Sequence, residues 1–217
     1  MRGSGTTAVA CPADERVARD VLPGPRVRLG LGTAALLATA GAARAGRVGP
    51  WEARVFEAVN GLPDSLYRPA WVVMQLGAFG AIPAAAAAAW LAGDAELAGR
   101  LLIGGTATWG LAKLVKQIVR RPRPDSLLPG VSRRGRDAAG LGYLSGHAGV
   151  AAALGAAALP RLGPAGRALV LGAMPAVGLT RVYVGAHLPL DIAGGAALGL
   201  MVDAAAEVIR PGRAVRR

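Results

Sequence analysis

The chain has 217 residues, 53% hydrophobic and 18% charged, with a mean hydropathy of +0.41. Soluble domains carry about 25% charged residues, so this balance excludes a disordered chain and points to a membrane protein, while a single cysteine, Cys11, excludes a disulfide scaffold. The formal charge is nevertheless +12, and an oily, basic chain must keep its cations at membrane surfaces, in lined cavities or on an anionic ligand.

Residues 1–28 hold Arg16, Arg19, Arg26 and Arg28 and read as a poorly ordered cytoplasmic leader. The first expected span is Leu29–Ala43, bracketed by Arg28 and Arg44, whose long side chains can snorkel to the interface. Residues 51–68 place Trp51, Phe56, Leu62, Leu66 and Tyr67 among charges, the pattern of an interfacial segment. Pro69–Gly93 is uncharged throughout. A helix needs about 20 apolar residues to cross about 30 Å of hydrocarbon, so this stretch is a span on length alone. Leu97–Val119 follows, apolar first and then carrying Lys113 and Lys116 before an Arg-Pro-rich break. Candidate helices at 146–160, 166–183 and 187–209 complete the count. The expectation is an all-α integral membrane bundle of about six transmembrane helices over 29–209, with 210–217 as a basic tail.

Groups suited to a phosphate sit near both histidines. Lys116 and Arg123 are seven residues apart, two helical turns, and share a face if the helix persists. Pro122 and Pro124 then break the helix and pass the arginine to a loop. Arginine's fork donates two parallel hydrogen bonds to phosphate, and lysine adds a point charge. Ser145 is a good N-cap type, and a helix starting there aims free N–H groups at an anion, with Gly146 leaving room for it. His187 and Asp191 are four apart, so a carboxylate one turn away can hold one ring nitrogen protonated and direct the other. The plainer roles are packing for the histidines and helix capping for Asp191. Lys113, Arg120, Arg121, Arg133, Arg134 and Arg136 read as interfacial cations rather than ligands, and Trp109 and Tyr183 as packing or interface residues.

Taken in order, KQIVRRPRP (116–124), LSGH (144–147) and TRVYVGAHLPLD (180–191) resemble the motifs KxxxxxxRP, PSGH and SRxxxxxHxxxD of the type 2 phosphatidic acid phosphatase superfamily, the membrane lipid phosphate phosphatases. The resemblance covers residues 116–191, with Leu144 where the family usually has proline and Thr180 where it usually has serine. It implies that His187 attacks phosphorus to give a phosphohistidine, that Asp191 orients it, and that His147 is general acid and then general base. It also implies that Lys116, Arg123, Arg181, Ser145 and the Gly146 amide hold the phosphate oxygens, with no metal and no cofactor. The expected partner is a membrane lipid phosphate, of the phosphatidic acid, phosphatidylglycerophosphate or polyprenyl diphosphate type, and not nucleic acid. A phosphotransferase on the same scaffold and a non-catalytic anion-binding or transport protein are the alternatives. If spans alternate in direction, the three motifs share one side. A cytoplasmic N-terminus puts that side on the non-cytoplasmic face of a bacterial plasma membrane.

Overall fold

A computed structural model describes residues 21–135 and 140–209; most of the leader, the tail and Arg136 lie outside the described residues. The described chain forms α1 (Pro25–Arg44), α2 (Pro50–Asn60), α3 (Tyr67–Gln75), α4 (Ala81–Leu91), α5 (Ala95–Val119), α6 (Gly146–Ala158), α7 (Pro164–Tyr183) and α8 (Pro189–Ile209). Proline opens α1, α2 and α7, where its missing N–H costs nothing. α5 starts under an Asp94 cap, whose carboxylate accepts the Leu97 N–H at 2.9 Å.

α8 packs against α1 and α6, α5 lies between α4 and α6, and α3 rests on α7. Small residues make these approaches close. Every residue from Ala148 to Ala157 in α6 is buried, and a Cβ on Gly195 of α8 would collide with the carbonyl of Ser145.

Side-chain pairings give the helix directions. Arg28, in the first turn of α1, pairs with Asp203 and Glu207 near the end of α8, while Thr39 later in α1 lies 2.9 Å from the Tyr143 hydroxyl just before α6. Arg100, early in α5, also meets Asp203, whereas Lys116 near its end meets residues 141 and 142. One end of the bundle therefore gathers the end of α5, the start of α6 and the α7–α8 loop, as the sequence order of the motifs requires. The opposite end holds the Arg28–Arg100–Asp203–Glu207 cluster. Arg28 is thus buried among carboxylates and does not snorkel.

Continuous apolar spans are fewer than expected. The uncharged stretch Pro69–Gly93 is divided into α3 and α4 by a turn at 76–80, whose backbone tightens to i→i−3 hydrogen bonds. Gly77 lies there against the His147 carbonyl, where any side chain would clash, and with Gly80 it puts two glycines in the turn. Among the described residues α8, with 21 residues and a mean hydropathy of 1.6 in its apolar stretch, is the helix long and apolar enough to cross a membrane. The 51–68 segment is likewise not a surface element alone: Glu52, Phe56 and Asn60 form a buried face of α2, four residues apart.

Candidate active site

The first cation comes from a helix and the second from a loop. α5 ends at Val119, where Arg120 takes a left-handed φ of 55°, so Lys116 and Arg123 do not share a continuous helical face. The Lys116 ammonium donates to the carbonyls of Leu141 and Gly142, each at 3.1 Å. That leaves one of its three protons for a ligand. Arg123 donates to the Ala186 carbonyl at 2.7 Å, which ties its loop to the residue before His187. Arg181, in the last turn of α7, donates to the Met74 sulfur at 2.7 Å. Lys116 lies within electrostatic range of both Arg123 and Arg181, so three cations separated in sequence face one another.

Ser145 is fully buried and N-caps α6, its Oγ accepting the Ala148 N–H at 3.4 Å, while its own N–H donates to the Asp191 carbonyl at 2.9 Å. Its hydroxyl thus serves the helix start. An added Cβ at Gly146 would meet only Ala112 Cβ, at 4.0 Å, so the first-turn amides stay approachable. His147 lies in that first turn, within electrostatic range of Arg181, His187 and Lys116.

His187 is in the loop between α7 and α8, outside the helices, and 3% exposed. Burial holds its imidazole down at about 4 against the pull of Asp191, and the charges of Lys116 and Arg181 add to the depression. The ring is therefore neutral at pH 7. Its Nδ1 faces Asp191 Oδ2 at 3.6 Å, beyond hydrogen-bond length, and has no hydrogen-bond partner among the described residues. Asp191 does cap the start of α8, as well as facing the histidine. Its Oδ2 accepts the Leu188 N–H at 2.8 Å, and its Oδ1 accepts from Arg121 at 3.0 Å.

Arg121 corrects the expectation of an interfacial cation. It is 1% exposed and holds Glu52 with both prongs, Nη2 to Oε2 at 2.7 Å and Nη1 to Oε1 at 3.0 Å, while Nη1 also reaches Asp191. Neither Arg121 nor Glu52 stands out in the motifs. The available signal was the four-residue spacing of Glu52, Phe56 and Asn60, which puts an acid on the inward face of a helix.

Arg134 is also no interfacial cation: it donates to the carbonyls of Asn60, Leu62 and Tyr183 and pairs with Asp64, clamping α2 to the end of α7. Arg133 pairs with Asp125 at 2.9 Å, and Lys113 sits 3.4 Å over the Trp109 ring. Tyr183 and Trp109 pack as expected, the first under Arg134 and the second against Phe79. A cavity of about 160 Å³ opens beside Arg181, lined also by Tyr67, Trp71, Met74, Arg133 and Ala186.

A sequence model of the PAP2 superfamily matches residues 97–213, which include Lys116, Arg123, Ser145, Gly146, His147, Arg181, His187 and Asp191. The chain belongs to the PAP2 superfamily. It is 34% identical over 110 residues to decaprenylphosphoryl-5-phosphoribose phosphatase of Mycobacterium tuberculosis, in strains CDC 1551 and H37Rv alike. That alignment covers 51% of this chain and 59% of the relative, so the chain spans little more than half the length of the curated relatives it matches. The fold is similar to the crystal structure of the first transmembrane PAP2 type phosphatidylglycerolphosphate phosphatase from Bacillus subtilis. The TM-score is 0.64 at 19% identity, over 90% of this chain and all of the other. Glu52 lies outside the stretch that the superfamily matches.

Proposed function

We propose that this PAP2 chain is a membrane-embedded lipid phosphate phosphatase that cleaves a phosphomonoester or diphosphate without a metal, through a phosphohistidine on His187. The observation that carries the reading is the convergence, at one end of the bundle, of a neutral buried His187, His147 in the first turn of α6, and the cations Lys116, Arg123 and Arg181. Nδ1 faces Asp191, so Nε2 is the attacking atom. Its lone pair forms the N–P bond while the bond from phosphorus to the lipid oxygen breaks, and His147 gives that oxygen its proton. His147 then takes a proton from water as the water displaces His187 and inorganic phosphate leaves. The three cations and the α6 amides offset the charge on the phosphoryl oxygens, the task a metal performs in other phosphatases.

Large apolar side chains support the membrane setting: Leu37, Trp90, Leu91, Ile118, Leu169 and Ile209 are all exposed on the outside of the bundle. α1 begins at Pro25 and α8 ends at Ile209, both at the end opposite the candidate site. A cytoplasmic N-terminus, read from the arginines of the leader sequence, puts that end at the cytoplasm and the site on the other face, with the six arginines of 120–146 on the site side. The cavity beside Arg181 has room for the polar group that carries the phosphate, and the relatives' names favour a phosphosugar or glycerophosphate headgroup over plain phosphatidic acid.

The test is phosphate release by purified protein in detergent, with a chelator, from phosphatidic acid, phosphatidylglycerophosphate, a polyprenyl diphosphate and a polyprenylphosphoryl phosphopentose. Turnover should persist with the chelator, and His187→Asn should lower it by at least ~10³-fold, with His147→Ala costing about 10²–10⁴-fold. Activity that requires added metal, or that survives His187→Asn, would refute the mechanism. New phosphoesters formed with added glycerol would make the enzyme a transferase.

A further inference from the structure

Three ionised side chains, Glu52, Arg121 and Asp191, are wholly buried in one row that ends at His187. Burying charge is costly, and a carboxylate could orient a histidine without two further charges behind it. A lone Arg121 beside Asp191 would also cancel the negative charge that a protonated or phosphorylated imidazole needs. Glu52 changes this balance. With it the row carries two negative charges and one positive, and the excess faces Nδ1. Glu52 also accepts the Leu190 N–H at 3.1 Å, so the same carboxylate that grips Arg121 anchors the backbone next to Asp191.

We propose that Glu52 and Arg121 are positioning residues for the reaction: the Glu52–Arg121 pair fixes Asp191 Oδ1, turns Oδ2, which also accepts the Leu188 N–H, toward His187 Nδ1, and keeps the row net negative. This rests on the histidine mechanism above. As the N–P bond forms, Nδ1 keeps its proton and the ring gains positive charge, which draws Nδ1–H and Oδ2 from 3.6 Å into a hydrogen bond. The groups that face the ring from each packed element are Lys116 on α5, His147 on α6, Arg181 on α7 and Asp191 on α8. All except Asp191 oppose positive charge, so a negative row behind Asp191 offsets them. Glu52 is supplied by α2, outside the stretch matched by the superfamily, so the N-terminal part of the chain completes the site.

The experiment measures the full chain in mixed micelles with phosphatidylglycerophosphate and with a polyprenylphosphoryl phosphopentose, using whichever is turned over. Glu52→Gln keeps the shape and removes the charge. It should lower kcat by about 10–100-fold with KM within about threefold, and move the acid limb of kcat to lower pH, because the ring holds a proton less well; Glu52→Asp should restore part of kcat. A second variant, Glu52→Leu with Arg121→Met, replaces the pair with apolar groups and keeps the idea testable if Glu52→Gln does not fold. It should also lose kcat while staying folded, with its acid limb near that of wild type, since Asp191 alone leaves the row at the same net charge. If folded Glu52→Gln has wild-type kcat and an unmoved acid limb, or the folded double variant has wild-type kcat, the pair is a strut for the fold and the proposal falls. His187→Asn in the same assay separates the two levels: if it keeps activity, the histidine mechanism itself is wrong.

Discussion

His187 is a buried imidazole that stays neutral because its surroundings oppose positive charge, with Asp191 as the one carboxylate facing it among the described residues. That has a consequence for stability. The unfolded chain binds a proton at this residue near pH 6.5, but the folded chain binds one only near 4. Between these values the unfolded state holds the extra proton, so stability is full above about 6.5 and is lost as pH falls toward 4. Replacing His187 with Asn removes this contribution. The thermal midpoint of wild type in detergent should drop more steeply from pH 6.5 to 4 than that of His187→Asn. Parallel curves would show that the ring is not held neutral by the fold.

At the scale of elements, the junction of α6 with α8 decides the geometry. Ser145 closes the start of α6 with its hydroxyl and joins Asp191 through its backbone, while Gly195 lets the two helices touch. Gly195→Val would push Ser145 away, and overpacking of this sort costs about 1–3 kcal/mol. The expected outcome is a lower thermal midpoint together with a drop in kcat, since the α6 amides and His147 move with Ser145. A loss of stability with kcat intact would mean that the helix start is not part of the site. The break between α3 and α4 meets the same helix: Gly77 sits against the first turn of α6, where an apolar stretch long enough for one helix is divided.

Across the whole molecule, charge is separated by function into two buried groups. The end opposite the site holds Arg28, Arg100, Asp203 and Glu207, where the two acids pair with both arginines and tie α1 and α5 to α8. Asp203 is twelve residues from Asp191 along α8, about 18 Å at 1.5 Å per residue. Asp203→Asn leaves two arginines short of a partner, and breaking a buried pair in this way costs about 3–5 kcal/mol. Unfolding in detergent should register that loss, while kcat of the remaining folded protein stays within about twofold of wild type. A fall in kcat without a fall in stability would reveal coupling between the two ends that the packing does not require.

Of the candidate site residues, Arg123, Ser145, His187 and Asp191 could be singled out from short spacings, a cation before a proline, a cap before a glycine and an acid one turn after a histidine, while the roles expected of His147 and Arg181 rested on the resemblance to the family motifs. Local rules act over a few residues, and so they also marked the all-helical class. What they could not reach were pairings between distant residues. Glu52 and Arg121 are separated by 69 positions and Arg28 and Asp203 by 175, and the two arginines read as interface cations until the packing buried them. The turn at 76–80, with Gly77 and Gly80, lies inside an uncharged stretch whose length alone suggested one helix. Sequence by itself named the groups expected to meet a phosphate. Only the tertiary structure decided which charges are spent on one another, because burial removes the water that would otherwise make each of them indifferent to its neighbours.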